Sequence, residues 1–567
     1  MFVIVACTAP ALVGAGTTTP PQDALLRSLM QQRIKHVFVI VQENHSFDNY
    51  FGTYPGTAGQ TVENLGTALA AASEQQFDPA TGTTQGPFTV TDPHILGGDQ
   101  SSIGTAVKID GGKMDNWLRE EEYGAALSAR HVTPEKHANA LDVMAVFDCN
   151  TVPYLWYYAK TFTLFDHYFQ ADTGPSTPAN IQVFAAQIGQ SEWARQERSR
   201  HRMSSSPANG GAEVPLFYDD NPPAVTFPGI FPYTDGDDAT VQSYATMPVL
   251  LNPAEDAAAA VPGSIADDLR TEAASKRRSI SWGWYEEGLT SGIGFSSHHT
   301  APLYFDYIDK SPTFIANLHD NTPDLGLLPA IVKKKLPASG VFWIKGAMKS
   351  QFGFRPANGD TRFLGDDDHP GVGQSDHQVA EAYVATIINA IASKYWNDSV
   401  IILTWDDMGG YFDHVPPRQY THERCPPLGV PCGDGPRLPM LVISPFSKTG
   451  VVVHDYNDAV SISKFIEDVF GLPRLGSLPD ERPYEPEGPR DVDPRIGNLS
   501  GALDIAKLSG ASTPNPASMA TIVPSVPPAM SCSTLGLTPS PTLTSPPKGY
   551  VSVARLQRIP PETDDGD

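Results

Sequence analysis

The sequence predicts an α/β fold, in which a central, mostly parallel sheet is covered by helices on both faces. Short runs of β-branched and aliphatic residues alternate with longer amphipathic segments along much of the chain. This alternation is typical of parallel strands that are connected by helices. Ligands of such sheets bind beyond the carboxyl ends of the strands. The residues that follow each apolar run are therefore the first place to look for a functional site.

The individual elements follow from the spacing of the apolar residues. Residues 378–396 form the clearest predicted helix, because Val379, Tyr383, Ile387 and Ile391 recur every four residues on one face. A second amphipathic helix is expected over 459–470, and a helical segment broken near Pro153 over 141–160. Dense apolar runs predict buried strands at 35–42, 162–169, 340–345, 400–405 and 438–444.

The domain organisation follows from shifts in composition. Residues 1–33 resemble the remnant of a signal segment and a linker, and 34–505 form the main α/β domain. Within it, 205–260 are rich in Pro, Gly, Asp and Tyr without a sustained period, which predicts an inserted lid region. Residues 506–567 are rich in Pro, Ser and Thr and are predicted to be an extended tail.

The charge of the chain excludes one class of partner. It carries 39 Lys and Arg against 64 Asp and Glu, a formal net charge of −25. Proteins that bind nucleic acids carry basic patches, so we expect no nucleic-acid partner. An anionic ligand would gain no long-range attraction either, and its site would need local positive charge, most simply from a metal ion. No stretch reaches the 18 or so apolar residues of a transmembrane span.

The cysteines bear on the cellular compartment. Cys425 and Cys432 bracket a Pro- and Gly-rich turn, which fits either a local disulfide or a reduced loop. Cys7 follows a short apolar stretch, as in a lipoprotein signal whose cysteine becomes lipidated, although a remnant of an ordinary signal peptide has the same appearance. We therefore expect an exported protein, which is periplasmic, secreted or anchored to the outer membrane through Cys7.

Oxygen-bearing side chains follow two of the predicted strands. Glu43 and Asn44 come directly after the first, and Asp406 and Asp407 after the fourth. If these strands end at one edge of the sheet, the four side chains could hold one divalent cation: Ca²⁺, Mg²⁺ or Mn²⁺, or Zn²⁺ or Fe in a mixed site. The alternative is that each pair only caps the helix that follows.

One hydroxyl residue has the setting of a nucleophile. Ser176 lies between Pro175 and Pro178 in a turn that begins at Gly174. A rigid turn presents a side chain in a fixed geometry, and a nearby metal ion would stabilise the serine alkoxide. A purely structural turn would have the same composition.

Histidines supply the third kind of chemistry. His298 and His299 are adjacent, and His369 follows three aspartates. Histidine can donate hydrogen bonds to phosphoryl oxygens and can protonate a leaving alkoxide, but a single histidine is more often a loop or core residue. We predict structural roles for His36 and His454.

These segments together resemble the bacterial phosphoesterase family that includes phospholipases C and a group of acid phosphatases. The resemblance covers about residues 34–472 and consists of ordered motifs at 43–52 (ENHSFDNYFG), 111–115 (GGKMD), 174–176 (GPS), 406–417 (DDMGGYFDHVPP), 444–446 (SPF) and 464–467 (KFIE). It implies a fold related to alkaline phosphatases and sulfatases. It also implies a divalent metal ion and a substrate that is a small phosphate ester or a phospholipid.

The resemblance also implies roles for single residues. Glu43, Asn44, Asp406 and Asp407 would hold the metal, and Ser176 would bind it and attack phosphorus. His298, His299 and His369 would line the phosphate pocket, one of them as the acid, with His94 as a further member. This chain departs from the family pattern at His45, where the family often has arginine, and at Asn180, which is displaced by one residue.

Three functions remain open on the sequence alone. The serine in the nucleophile turn resembles the acid phosphatase branch and favours phosphomonoesters. A phospholipase C would need an apolar entrance, for which Trp282, Trp284 and Tyr285 are candidates unless they belong to the core. A surface binding protein without catalysis is the third, and the complete set of predicted site residues argues against it.

Overall fold

The computed structural model of the protein describes residues 20–66, 74–192, 194, 220, 229–230, 243–260, 265–275, 277–371, 373–419, 433–484 and 488–553. Within this part of the chain, an eight-stranded sheet forms the centre and helices cover it. The predicted α/β class is therefore confirmed. Among the described helices, none has the length and apolar character that crossing a membrane requires.

The eight strands of the sheet come from widely separated parts of the chain. Their order in space is β8-β2-β7-β6-β1-β5-β3-β4, in which β7 is antiparallel to both of its neighbours and all the other pairs are parallel. In chain order they are β1 (His36–Gln42), β2 (Thr163–Phe165), β3 (Ser281–Glu286), β4 (Leu318–Asp320), β5 (Gly340–Lys345), β6 (Ser399–Trp405), β7 (Met440–Ile443) and β8 (Val451–Val453).

The central strands are buried on both faces, which explains their unbroken apolar runs. Every residue of β1, β5 and β6 is buried, as expected for parallel strands that are covered by helices. The register places Gln42 beside Trp405 at the carboxyl ends of β1 and β6. The residues that follow these two strands, 43–44 and 406–407, therefore leave the sheet side by side.

Most of the helices are short, and two matter for the predictions. The predicted helix over 378–396 is α14 (His377–Lys394), whose first turn is capped by the Asp376 carboxylate; the second is α15 (Val460–Phe470). The other described α-helices are α1 (Pro20–Arg33), α2 (Phe47–Phe51), α3 (Ser102–Ile109), α4 (Trp117–Tyr123), α5 (Pro134–Ala140), α6 (Pro153–Thr161), α7 (Ser176–Ala185), α8 (Met247–Leu251), α9 (Glu255–Ala260), α10 (Ala266–Ala274), α11 (Asp306–Asp309), α12 (Pro312–Ile315), α13 (Leu327–Val332), α16 (Ile505–Ser509) and α17 (Cys532–Leu535).

Three strands of the sheet, β3, β4 and β8, were not predicted. The sequence of β3 is SWGWYE, in which a glycine and large aromatic residues replace the usual β-branched run. Trp282 and Trp284 are 2% and 0% exposed and pack around Phe184. These tryptophans are core residues and do not form an apolar entrance. The segment 141–160 is helical only in part, since the regular helix α6 starts at Pro153.

The predicted terminal and lid segments are described only in part. Cys7 and the first 19 residues lie outside the described residues, as do 205–219, 221–228 and 231–242 of the predicted lid. The end of the lid region, 243–260, forms the helices α8 and α9. Met247 and Val249 of α8 are fully buried, so this end belongs to the core of the domain.

The Pro-rich segment after residue 505 packs along the domain instead of extending away from it. Asn389 on α14 exchanges two hydrogen bonds with the backbone of Ile522, of 2.6 and 3.0 Å. The indole nitrogen of Trp396 donates to the carbonyl of Asn515 over 2.7 Å. Side chains of the domain thus form hydrogen bonds with the backbone of a segment that has little secondary structure of its own.

A disulfide between Cys149 and Cys532 holds this C-terminal segment to the domain. The two cysteines are 383 residues apart in sequence. The predicted pair, Cys425 and Cys432, lies outside the described residues, and that prediction stays untested.

Loss of this disulfide should lower stability without changing the fold. For the double variant Cys149→Ser, Cys532→Ser we expect the free energy of unfolding to fall by about 2–4 kcal/mol, because the unfolded chain regains the freedom that the cross-link removes. Urea titrations followed by tryptophan fluorescence measure this. A reducing agent should lower the stability of the unmodified protein by a similar amount and leave the variant unchanged. An equal response of both proteins to the reductant would contradict the expectation.

Candidate active site

The ends of β1 and β6 bring the two predicted ligand pairs together. The backbone amide of Asn44 donates to the Asp406 carboxylate over 3.1 Å, and the amide of Asp406 donates to the carbonyl of Gln42 over 3.0 Å. Asn44 adopts a positive φ of 59°, which turns the chain sharply at the end of the strand. Glu43, Asn44, Asp406 and Asp407 are all at most 1% exposed.

Ser176 joins this group from a third region of the chain. Its hydroxyl oxygen Oγ lies 3.1 Å from Glu43 Oε2, 3.3 Å from Asn44 Oδ1 and 3.0 Å from Asp407 Oδ2. Ser176 is the first residue of α7, so the proline-framed turn places its side chain at the start of a helix. It is 1% exposed, but its hydroxyl faces a polar cluster and not the apolar core.

Two further residues tie α7 to the sheet. The amide nitrogen of Asn180 donates to the carbonyl of Ser176 and to Asp406 Oδ2, over 2.9 Å in both cases. The ammonium of Lys345, at the end of β5, contacts Glu43 Oε1 and donates to Asn180 Oδ1 over 2.8 Å. Asn180, which seemed displaced in the sequence, thus links the serine backbone to a predicted ligand.

The charges of this cluster do not balance within the protein. Burial and the neighbouring Glu43 raise the pKa of Asp406 to about 8, and burial and Asp406 raise the pKa of Asp407 well above its ordinary value. Lys345 is the lysine that contacts the cluster; burial opposes its charge, but Glu43 and Asp406 keep its pKa above the usual value. Three buried carboxylates against one ammonium favour the binding of a cation.

The chemistry of the donor set shows whether a metal fits. Side-chain oxygens of Glu43 and Asp407 and the side-chain amide of Asn44 lie within 3.3 Å of the Ser176 hydroxyl, and the same amide lies 3.3 Å from Asp406 Oδ1. With the amide oxygen turned toward these carboxylates, its nitrogen lies 2.8 Å from Gln100 Oε1. The group is then a set of oxygen ligands, which suits a hard divalent ion.

The histidine pair lies beside the carboxylates. His299 Nδ1 is 3.4 Å from Glu43 Oε1, and burial, together with the nearby charges of His298 and Lys345, lowers the pKa of His299 well below its usual range. The other ring nitrogen of His299, Nε2, is buried and has no hydrogen-bond partner among the described residues. His298 packs edge-on against His299 at 4.2 Å between ring centroids and is partly exposed.

His369 and His94 have different surroundings. The Nδ1 of His369 lies 2.6 Å from the carbonyl of Pro370. If Nδ1 carries the proton, Nε2 accepts from the side-chain amide of Asn44 over 3.0 Å and so orients that ligand. His94 lies between Asp92 and Asp376, at 2.8 and 2.9 Å from its two ring nitrogens. Both nitrogens are therefore occupied by carboxylates, and its contact with phosphate stays a prediction.

Lys345 and Gln100 are the site residues that sequence reasoning missed. Lys345 ends β5, the neighbour of β1, and so lies at the same sheet edge as the predicted ligands. A lysine at the end of a wholly apolar strand was the available signal. Gln100 lies in a loop without any pattern that could have indicated its role.

The metal-free protein should lose stability as the pH rises. Asp406, with a pKa raised to about 8, keeps its proton in the folded state over a range in which the unfolded chain has released it. The unfolded state then binds fewer protons, so the free energy of unfolding falls between about pH 4 and pH 8. We expect Asp406→Asn to flatten this slope in chelator-treated protein, whereas Asp324→Asn, at an exposed position, should not. Urea unfolding at several pH values measures both, and equal slopes would refute the assignment.

The chain belongs to the phosphoesterase family, whose model matches residues 34–473, and it is a phosphoester hydrolase. This confirms the family that the sequence motifs indicated.

Curated relatives of the chain carry the names of phospholipases C. Phospholipase C B of Mycobacterium tuberculosis is 24% identical over 529 residues, which covers 85% of this chain and 80% of the relative. The non-hemolytic phospholipase C of Burkholderia pseudomallei is 23% identical, with 84% and 60% of the two chains covered. The hemolytic phospholipase C of Pseudomonas aeruginosa is 22% identical, with 78% and 53% covered.

Among solved structures, the phosphonate monoester hydrolase SpPMH from Silicibacter pomeroyi is similar to this chain at 14% identity. The match covers 57% of this chain and 69% of that one, with a TM-score of 0.19.

Proposed function

We propose that the protein hydrolyses phosphate monoesters through a phosphoserine formed on Ser176. The observation that carries this proposal is the environment of its hydroxyl oxygen, which lies within 3.3 Å of side-chain oxygens of Glu43, Asn44 and Asp407. A serine hydroxyl surrounded by oxygen ligands is poised to lose its proton only when positive charge is supplied there.

A divalent cation held by Glu43, Asn44, Asp406 and Asp407 would supply positive charge to the serine oxygen and to the phosphoryl group. Asn180 and Lys345 hold the nucleophile and the metal ligands in their relative positions. Asn180 connects the Ser176 carbonyl to Asp406, so the nucleophile and a ligand move as one unit. Lys345 contacts Glu43 and holds its carboxylate in position.

In the first step, Ser176, whose hydroxyl has released its proton to solvent before the ester binds, attacks phosphorus through Oγ in line with the ester oxygen. The bond between phosphorus and the leaving oxygen breaks, and that oxygen takes a proton from His298, which is the most exposed member of the histidine pair. In the second step a water molecule gives a proton to His298 and attacks the phosphoserine. Inorganic phosphate leaves, and Ser176 is restored.

His299 has a different task. Its lowered pKa keeps the ring neutral, so it can donate one hydrogen bond but does not act as a strong acid. Its unpartnered Nε2 is the atom that we assign to a phosphoryl oxygen. A buried donor that is already oriented stabilises the developing charge at little cost in reorganisation.

Two observations bear on the choice of substrate. The serine form of the nucleophile turn favours monoesters, and the tryptophans that could have formed an apolar entrance lie in the core. The second candidate function, hydrolysis of phospholipid head-group diesters, is favoured by the names of the relatives. The third possibility, a binding protein without catalysis, conflicts with membership of the phosphoesterase family and is an outcome of the same test.

Hydrolysis of p-nitrophenyl phosphate and of p-nitrophenyl phosphorylcholine by the full chain separates the three. We expect the ratio of kcat/KM to favour the monoester at least about tenfold, a difference of about 1.4 kcal/mol in transition-state stabilisation. A preference for the choline diester would replace the proposal by the phospholipase C function. Activity on neither substrate, with Ca²⁺, Mg²⁺, Mn²⁺, Zn²⁺ or Fe²⁺ added in turn, would leave the binding protein.

We also propose that the protein is exported. The disulfide between Cys149 and Cys532 supports this, because disulfides persist in oxidising compartments and are rare in a reducing cytosol. Whether the protein is secreted, periplasmic or held by a lipid on Cys7 is open, and cell fractionation of the native and the Cys7→Ser proteins distinguishes these locations.

A further inference from the structure

A second pair of parallel strand ends lies at the opposite edge of the sheet from β4. Strand β8 pairs with β2, and Val453 stands beside Phe165 at their carboxyl ends. Asp166 and His167 follow β2, and His454 follows β8. The backbone amide of Asp166 donates to the carbonyl of Val453 over 3.2 Å. In the centre of the sheet, the parallel pairing of β1 and β6 brings Glu43 and Asp406 together. The parallel pairing of β2 and β8 brings Asp166, His167 and His454 together in the same way.

Three potential ligand atoms meet at this edge. Asp166 Oδ1 lies 2.9 Å from His167 Nδ1 and 2.8 Å from His454 Nδ1. The ligand atoms of these residues all lie within 4.8 Å of one another. Asp166 is fully buried, His167 is partly buried, and the side chain of His454 is 48% exposed. The group is therefore buried at Asp166 and open to solvent at His454.

Neighbouring residues hold Asp166 in place. The buried guanidinium of Arg437 donates to the carbonyls of Glu63 and Asp166 over 2.7 and 3.0 Å. The amide of Glu63 in turn donates to Asp166 Oδ2 over 2.8 Å. Asp166 is thus fixed through both its backbone and its carboxylate before any ligand binds, which is the preorganisation that a metal site needs.

The orientation of His167 gives the second observation. Its other ring nitrogen, Nε2, lies 3.1 Å from Glu63 Oε2. Histidines that bind a metal through one nitrogen usually donate the other N–H to a carboxylate. With the proton on Nε2, Nδ1 is left as a ligand atom on the side of Asp166 and His454; with both ring nitrogens protonated, the same contacts are an ion pair with Asp166 and Glu63, which is the alternative outcome of the zinc measurement.

We propose that Asp166, His167 and His454 form a second metal site, for a divalent transition ion such as Zn²⁺. Two imidazoles and one carboxylate are a set that Zn²⁺ binds with bonds of about 2.0–2.2 Å, with water in a fourth position. The exposed side of His454 provides that position and the route of entry. Imidazole ligands favour Zn²⁺, Co²⁺ or Ni²⁺ over Mg²⁺ and Ca²⁺, so this site differs in its preference from the oxygen-lined cluster around Ser176.

Three comparable groups lie elsewhere in the described part of the chain; that of Asp78, Glu122 and His137 offers one imidazole in place of two, and the other two are already satisfied by the protein. The group of Asp48, Asp413 and His414 contains the guanidinium of Arg437, 2.9–3.0 Å from the two carboxylates. In the group around Asp368, the carboxylate accepts hydrogen bonds from Tyr50 and Trp405 over 2.7 and 2.8 Å. Neither group has the open side that His454 gives to the site proposed here.

Zinc content after equilibrium dialysis of the full chain tests the proposal. The variant His454→Gln keeps a hydrogen-bonding side chain but removes one imidazole ligand, and His131→Ala, at an exposed position, is the matched control. With excess Mg²⁺ present throughout, elemental analysis should find one equivalent of Zn²⁺ less in His454→Gln than in the native protein and in the control. His454 lies outside the catalytic cluster, and a near-ultraviolet circular dichroism spectrum equal to that of the native protein shows that the variant is folded.

Equal zinc content in all three proteins would overturn the proposal and leave an ion pair only, in which two protonated histidines flank Asp166. A second variant, His167→Gln, removes the other imidazole ligand and should show the same loss of zinc. The conclusion then does not rest on the His454 variant alone. The result does not depend on the function proposed for Ser176, because the readout is metal content and not turnover.

Discussion

Replacement of Ser176 by alanine is expected to lower kcat/KM for phosphate esters by roughly 10⁴-fold or more, the scale of loss when an enzyme loses its nucleophile. The hydroxyl lies within 3.3 Å of Glu43, Asn44 and Asp407. The substitution removes one oxygen atom from a polar cluster, so the fold should persist. Steady-state kinetics and near-ultraviolet circular dichroism measure the two effects.

The neighbouring hydroxyl provides the matched control. Thr177 Oγ1 lies 3.1 Å from the hydroxyl of Tyr304 and belongs to a different set of contacts from that of Ser176. We expect Thr177→Val to lower kcat/KM by less than about tenfold, a limit of about 1.4 kcal/mol. If Thr177→Val abolished turnover and Ser176→Ala did not, the threonine would be the nucleophile and the assignment made here would be wrong.

The second large effect is expected for Asp407→Asn. The substitution keeps the shape of the side chain but removes a charge from the cluster, and Asp407 is positioned by the amide of Gly409, which donates to Oδ1 over 2.7 Å. We expect a fall in kcat of about 10²–10³-fold, similar to the loss of one group that stabilises a transition state. Metal titrations followed by activity should also show a weaker apparent affinity.

Chelation separates a lost ligand from a general loss of structure. The native protein should lose activity in EDTA and regain it when a divalent ion is added, whereas Asp407→Asn should need a higher concentration of the ion. Asp324→Asn removes an exposed carboxylate and should respond like the native protein. An Asp407→Asn variant with native kcat and native metal dependence would remove Asp407 from the site.

The central strands could be predicted from the sequence because burial on both faces of the sheet restricts them largely to apolar residues. Strands β1, β5 and β6 are buried along their whole length, so they consist mostly of apolar residues and stand out from their surroundings. The residues that follow β1 and β6 could be paired in advance, because parallel neighbours end at one edge. Ser176 could be added only through the motif, since nothing local shows that α7 starts at this edge.

Other features could not be predicted, because they depend on contacts between distant residues. Cys149 and Cys532 are 383 residues apart, and nothing near either cysteine identifies its partner. The docking of the Pro-rich segment depends on single donors such as Trp396, which reach its backbone. Lys345 ends β5, which is the neighbour in the sheet of β1, the strand that leads to Glu43 and Asn44. Its contact with Glu43 can therefore be recognised only when the order of the strands is known.

The covalent intermediate gives the most direct test of the central claim, that the serine at the start of α7 is the group that attacks phosphorus. A rapid acid quench during turnover of a ³²P-labelled monoester, followed by peptide mapping with mass spectrometry, locates the phosphoryl group. We predict label on Ser176 in the native protein and none at that peptide in Ser176→Ala. Label on another residue, or full turnover with no labelled peptide in rapidly quenched samples, would contradict the account.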